Sequence, residues 1–420
     1  MRIVGARVID PTSGTDEIRE LSIGDRAGTI DAAGLIATPG FIDLHTHLRE
    51  PGFEESETIA DGARAALRGG FTTVCCMPNT EPVLDAPGLL EEVRERAAAA
   101  KAARVLPIGS ITRARKGVAL SDMAELADAG AVAFSDDGAP LQDARLMRYA
   151  LEYARATGRV IADHAQDAVL AANGVMHEGE ASALLGLPGI PSAAEETAIA
   201  RDLALARLTG GRVHIAHVST ARGVALVRAA KREGVPVTCE VTPHHLALTD
   251  DWVAGDRTFA WDRRNGSAAA APYDTATKVN PPLRPRADIE ALWQGLRDGT
   301  IDAIATDHAP HASTYKDVEY DQAAFGISGL ETALSVLLDA AGAGWIDLGV
   351  LIERLTVGPA RCFGLDAPSL ARDVVLIDPD AEWTVAIDAL ISRGKNTPLL
   401  GRRMGGRVVA AFVEGEQRLE

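Results

Sequence analysis

Residues 40–52 read GFIDLHTHLREPG, an apolar run that carries two histidines two residues apart. A β-strand alternates its side chains between faces, so Asp43, His45 and His47 would share one face, with Phe41, Ile42 and Leu44 supplying apolar bulk. Two imidazoles about 7 Å apart on one strand face can converge on a single ion. A lone histidine here would read as an ordinary solvent-facing residue. The paired spacing at the end of an apolar strand points instead to a metal.

Seven further runs of this kind follow: FTTVCCMP (71–78), RVLPIGSI (104–111), AVAFSDD (131–137), RVIADHA (159–165), RVHIAHVS (212–219), PVTCEVTP (236–243) and IDAIATDHAPH (301–311). Between them lie Ala/Leu/Glu/Arg-rich stretches of helical character, such as APGLLEEVRERAAAAKAA and ARLMRYALEYARATG, the second closed by a glycine stop. Near-continuous apolar strands alternating with helices predict a parallel sheet covered on both faces. Eight such units predict an α/β fold, a closed (β/α)8 TIM barrel whose chemistry sits at the strand C-termini.

The two ends differ from the middle. MRIVGARVID and ELSIGD near the start, and DVVLIDPDAEWTV and GGRVVAAFVEGEQ near the end, read as short alternating strands with too little apolar bulk for separate cores. They are expected to pair into one small β-sandwich, giving a division at 1–39, 40–365 and 366–420. The stretch 254–277 is long and Gly/Ala-rich, and a loop of that length is usually functional or mobile; its GSAAAAP core reads as mobile.

Bulk properties narrow the function. The 420-residue chain is 47% hydrophobic and contains no uncharged apolar stretch long enough to span a bilayer. MRIVGARVIDPTSG lacks the charged-then-apolar layout of a signal peptide, so a cytoplasmic location is expected. The net charge of −17 repels phosphate backbones and argues against nucleic acid, though a few arginines could still hold a small anion. The four cysteines form no CxxC pair, and Cys75 and Cys76 read as small buried hydrophobes.

The strand ends carry the chemistry. His45 and His47 end the first run, Asp136 and Asp137 the fourth, Asp163 and His164 the fifth, His217 the sixth and Asp307 the eighth. Imidazoles and carboxylates packed this closely are costly unless a cation holds them. Nitrogen and oxygen donors without thiolate suit one or two Zn²⁺ ions. Strand parity places Asp137 apart from Asp136, and His217 on the face opposite His214, which is expected to point outward to the helices. His177, His244 and His245 have weaker claims; either of the last two could orient a ligand.

In order along the chain, DLHTHLREPG, MPNT, AFSDDG, ADHAQD, HEGE, IAHVST, TPHHL, KVNPPLR, ATDHAPH and AFGISGLET make it similar to the dihydroorotases of the amidohydrolase superfamily, in their longer class I bacterial form. The resemblance spans nearly the whole chain. It implies a binuclear zinc site: His45, His47 and Asp307 on the first metal, His164 and His217 on the second, and Asp137 bridging. It also implies that Arg49, Asn79, Asn280 and His311, with backbone at Phe325 and Gly326, hold the substrate. That substrate would be N-carbamoyl-L-aspartate or L-dihydroorotate, interconverted in pyrimidine biosynthesis. Two metals sharing a water would lower its pKa toward neutrality. Asp307 would carry the proton between water and leaving nitrogen, and Arg49 is a planar fork suited to a carboxylate.

Two features depart from relatives. AVAFSDDGAP has no lysine to act as a carboxylated bridge, so the shorter Asp137 must serve, as in the class I bacterial enzymes; and 254–277 is longer than usual. A hydantoinase or allantoinase would share the metal chemistry but typically uses that lysine. A silent scaffold for aspartate transcarbamoylase would lack metal ligands, and here all six are present. A homodimer, and association of an active enzyme with the transcarbamoylase, are both compatible with the resemblance.

Overall fold

The computed structural model describes residues 1–24, 27–262 and 270–419 and has a mixed α/β architecture. Seven of the eight apolar runs form strands, each shorter than its run: Phe41–Thr46, Phe71–Cys76, Arg104–Pro107, Ile161–Asp163, Val213–Ile215, Val237–Val241 and Ala303–Ile304. They make two parallel sheets, one of the first three and one of the last four.

The expected fourth strand is absent as such. AVAFSDD contributes only Phe134, which bridges Gly109 on one side and Ile161 on the other, both in parallel sense. Across the opposite gap, Thr46 bridges His308, again in parallel. The sheets are therefore two arcs joined by single bridges rather than one unbroken eight-stranded ladder. Beyond Phe134, Ser135 still pairs, its amide donating to the Gly109 carbonyl at 2.9 Å and its carbonyl accepting from the Ile111 amide at 3.4 Å, while the Asp136 carboxylate accepts from the backbone amides of Ile111 and Thr112, at 2.9 and 3.0 Å.

Helices cover the sheets. Pro87–Ala100 and Ala144–Thr157 form where their composition predicts, and Gly158 ends the second in the left-handed conformation (φ 72°) that favours glycine. Phe41, Phe71, Val74, Val213 and Ile215 pack with helix residues such as Leu67, Val93, Leu151 and Val227 in the main core. A second cluster joins Ile42, Leu44, Cys75, Ile108, Ala162 and Ala303 to Cys362 and Phe363.

The two chain ends meet. Val374–Thr384, Arg403–Val413 and Glu416–Leu419 join Ile36–Pro39, Arg7–Asp10 and Thr15–Ile18 in one six-stranded sheet. Arg2–Val4, Leu21–Ser22 and Thr29–Asp31 form a three-stranded sheet, and one apolar cluster includes residues from both, Ile3, Val8, Leu21, Leu376 and Phe412 among them. Only Gly40 separates Ile36–Pro39 from the strand that carries the histidine pair. A Cβ there would lie 2.1 Å from the Thr72 hydroxyl, so only glycine fits.

The core of the long 254–277 stretch falls mostly outside the described residues. Its flanks are anchored: Arg257 pairs with Asp274 at 2.9 Å, and the Tyr273 hydroxyl donates to the Leu185 carbonyl at 3.0 Å. All four cysteines are free and buried, as expected for Cys75 and Cys76.

Candidate metal centre

Asp137 lies among four imidazoles. Its Oδ1 is 3.4 Å from His45 Nε2, His164 Nδ1 and His217 Nε2, and its Oδ2 is 3.4 Å from His47 Nε2. Asp307 Oδ1 lies 3.1 Å from His47 Nε2 and 3.5 Å from His45 Nε2. Donors bound to one tetrahedral ion at about 2.1 Å stand about 3.4 Å apart, whereas hydrogen bonds between these groups would be shorter. All six side chains are buried, yet His45 Nε2 and Asp137 Oδ1 have no hydrogen-bond partner. Two triads, His45–His47–Asp307 and His45–Asp137–His217, keep their donor atoms within 4.8 Å of one another, and His164 joins through Asp137. Orphaned, buried nitrogen and oxygen donors at these separations fit a cation.

Asp137 is thus separated from Asp136 as strand parity predicts, but parity fails twice elsewhere. The ladder slips between Asp43 and Thr46, and Asp43 does not join the cluster; its carboxylate accepts from the amides of His45 and Thr306 at 3.0 and 3.1 Å. His214 was expected to face the helices. Instead its Nε2 lies 3.1 Å from Glu240 Oε2, and its ring packs edge-on against Phe363 of the second cluster. The strand ends at Ile215 and His217 turns to φ 32°, so alternation does not carry through to it. Arg49 (φ 63°) and Asp307 (φ 47°) share this rare conformation. Three non-glycine residues held in it at one site is the pattern of strain at a functional centre.

Charges around the cluster are strongly coupled. Burial works against ionising Asp137, but the charge of His45, and then the nearness of His164 and His217, hold it well below the usual carboxylate range. Burial likewise lowers the His45 pKa, but Asp137 and Asp307 outweigh it and raise it well above the ordinary value.

Neighbours orient the ligands. Glu240, unforeseen in the sequence, places Oε1 2.8 Å from His45 Nδ1. Burial would raise its pKa, yet hydrogen bonds from His214 and His45 bring it down to about 2. An ionised Glu240 takes the Nδ1 proton of His45 as a hydrogen bond and leaves Nε2 free for a cation. Its signal was a carboxylate inside the apolar run VTCEV. Glu240→Gln should weaken zinc retention about 10–100-fold in chelator competition; wild-type retention would remove Glu240 from this role.

The expected substrate-holding residues divide. Asn79 Oδ1 is 2.9 Å from His47 Nδ1. Asn280 exchanges two 3.0 Å hydrogen bonds with Gln166, a residue the sequence reading missed, and approaches His164 Nε2 at 3.3 Å. Arg49 donates from Nε to the Pro310 carbonyl at 3.0 Å, and its Nη2 lies 3.3 Å from His311 Nε2. Burial pulls its pKa to about 10, against Asp307 and Asp137. His311 Nε2 also meets the Phe325 carbonyl at 2.8 Å, and burial followed by Arg49 lowers its pKa to about 3. The neighbouring Gly326 (φ 140°) donates its amide to the Lys278 carbonyl. Of the weaker candidates, His177 is bound to Arg284 and His245 lies between Thr242 and the Pro281 carbonyl, while buried His244 Nε2 is unpartnered.

Comparison with known proteins agrees with this geometry. Residues 34–222 match a family model described as dihydro-orotase-like. A dihydroorotase from Anaeromyxobacter sp. (strain K) is 52% identical over 431 residues, covering 98% of this chain and 96% of the relative. One from Pelotomaculum thermopropionicum is 48% identical over 432 residues, covering 98% and 97%. Among solved structures, an L-hydantoinase (dihydropyrimidinase) from Arthrobacter aurescens aligns with TM-score 0.84 at 25% identity, covering 100% of this chain and 96% of that one. A dihydropyrimidinase from Brevibacillus agri aligns at TM-score 0.80 and 20% identity, covering 100% and 95%, a likeness of fold.

Proposed function

The chain belongs to the dihydroorotase family, and from that premise we propose how its residues act. It is a cyclic amide hydrolase that interconverts N-carbamoyl-L-aspartate and L-dihydroorotate. The observation that carries the site is the single carboxylate of Asp137 facing four histidines.

The donor set suits two Zn²⁺ ions: His45, His47 and Asp307 would hold one, His164 and His217 the other, and Asp137 would serve both. When bound, they would activate a water and polarise the ring carbonyl. The chain's own groups do the rest. Arg49 offers a planar fork to the carboxylate present in both open and closed forms, backed by His311. Asn79 and Asn280 supply amide groups, and the backbone of Phe325 and Gly326 closes the pocket. Asp307 transfers the proton between the attacking water and the ring nitrogen.

We propose that the two parallel arcs belong to a (β/α)8 barrel over residues 40–365, with 1–39 and 366–420 as a small β-sandwich. Among the described residues, no helix is long and apolar enough to cross a membrane. A cytoplasmic location is part of this proposal.

The test pairs metal analysis with the ultraviolet absorbance change of dihydroorotate ring opening. Hydantoins and dihydropyrimidines lack the ring carboxylate, and leaving the buried Arg49 without its partner should cost ~10²–10³-fold in kcat/KM. Comparable turnover of hydantoin would favour the hydantoinase reading. Absence of turnover in zinc-loaded enzyme would favour the silent scaffold.

A further inference from the structure

Residues 391–397, ISRGKNT, lie between two long strands of the six-stranded sheet, Val374–Thr384 and Arg403–Val413. Two buried carboxylates fix the start of this segment. Glu331 accepts from the amides of Ile391 and Ser392, at 2.9 and 3.0 Å, and Glu57 accepts from the Arg393 amide at 3.0 Å and the Ser392 hydroxyl at 2.5 Å. Gly394 then passes so close to Pro310 and His311 that a Cβ on it would stand 2.5 Å from the His311 amide nitrogen.

Asn396 follows, buried, and its side chain bridges the two stretches that carry the expected substrate contacts. Its Oδ1 accepts from the His311 amide at 2.8 Å, and its Nδ2 donates to the carbonyls of Ala309 and Gly326, each at 3.0 Å. Both N–H bonds of the side-chain amide are used, and the reverse orientation would set its oxygen against two carbonyls. Gly326 is thereby held from both sides, since its own amide donates to the Lys278 carbonyl at 2.8 Å. A Cβ on Gly326 would stand 3.2 Å from His311 Nε2, so the placement of one sets the room left for the other. His311 Nε2 in turn meets the Phe325 carbonyl at 2.8 Å and Arg49 Nη2 at 3.3 Å. None of the three Asn396 bonds reaches a metal-ligating side chain. Any three partners would satisfy a buried asparagine; here all three are main-chain atoms of the substrate-facing stretches.

We propose that Asn396 is a positioning residue for the substrate carboxylate: it fixes the separation of His311 from the backbone of Phe325 and Gly326 and, through His311, the guanidinium of Arg49. The inference rests on the dihydroorotase reading and adds to it a residue from the part of the chain outside the proposed barrel. The carboxylate that Arg49 holds does not react. Contacts to it are the same in the ground state and the transition state, so loosening them raises KM and leaves kcat nearly unchanged. A second route from the same segment runs through Glu57, which lies 3.3 Å from His308 Nε2, next to Asp307. Damage along that route would appear in kcat instead.

The experiment measures KM and kcat for dihydroorotate, the inhibition constant of orotate (an unreactive cyclic analogue with the same carboxylate), zinc content and melting temperature. The proteins are wild type, Asn396→Ala, Asn396→Asp and Phe412→Leu, the last altered in the apolar cluster that the two chain ends share. Asn396→Ala should raise both KM and the orotate inhibition constant about tenfold, with kcat within about threefold of wild type and zinc content unchanged. Phe412→Leu should melt earlier with normal KM and normal orotate binding, because a smaller folded fraction lowers apparent kcat without changing the affinity of the folded enzyme. Asn396→Asp has the same shape, keeps the acceptor for the His311 amide and loses both carbonyl bonds; it should weaken orotate as the alanine variant does, and it carries the test if Asn396→Ala does not fold. Unchanged KM and orotate binding in folded Asn396 variants, or a fall in kcat or zinc at unchanged KM, overturns the positioning role. If zinc-loaded wild type neither opens dihydroorotate nor binds orotate, the dihydroorotase reading fails and the role falls with it.

Discussion

Asp137→Ala is expected to strip the centre of metal and reduce turnover to background, while Asp136→Ala keeps both. The two residues are adjacent in sequence and both buried, so composition and burial cannot separate them. Their partners do. Asp137 faces His45, His47, His164 and His217, each at 3.4 Å. Removing it takes away the carboxylate that faces all four histidines and leaves the imidazoles and Asp307 to hold two like-charged ions with no carboxylate shared between them. Asp136 instead accepts from the amides of Ile111 and Thr112 and from the Thr112 hydroxyl. Its loss leaves buried donors unpaired at about 1–3 kcal/mol each, a cost to stability and not to metal. Zinc per chain, ring-opening rate and melting temperature measured on both variants give opposite patterns. Two zinc ions retained in Asp137→Ala would sink the bridging assignment.

That adjacent pair also shows what could be read from sequence. Alternation along AVAFSDD separates Asp137 from Asp136 even though no regular strand forms there, because the single bridge at Phe134 is enough to set the facing of the next few residues. Alternation misled at Asp43, where the ladder slips, and at His214, where the strand ends before the turn at His217. Bulges and positive-φ residues change side-chain direction without changing composition, so a pattern rule has nothing to detect. Glu240 was missed for another reason. It acts across the sheet on His45, from a run far away in sequence. Its partner becomes visible only when the arcs are assembled.

The proton that ring closure consumes sets the last expectation. Above the ordinary carboxylate range, the open form gains about tenfold over the closed form per pH unit, the free energy of one proton. The logarithms of kcat/KM for hydrolysis and for synthesis must then differ in slope by one unit everywhere in that range. This relation is thermodynamic and tests nothing about the enzyme; the position of the break does. Burial would raise the Asp307 pKa, but His45 and His47 outweigh it and hold the carboxylate below its usual range. Asp307 alone would thus be ionised throughout, and hydrolysis governed by it alone would be flat with pH. If Asp307 and the attacking water act as one coupled unit, hydrolysis rises to a plateau, while synthesis stays level and then falls, with one shared apparent pKa that belongs to the unit. Asp307→Asn removes the proton carrier and a metal ligand together, and should slow both directions by the same factor, about 10²–10⁴. Initial rates both ways from about pH 5 to about pH 10, with zinc measured in every sample, decide it. A flat wild-type hydrolysis limb would mean that Asp307 and the water do not titrate as one unit. Near-normal rates in the zinc-loaded asparagine variant would require a different group to carry the proton.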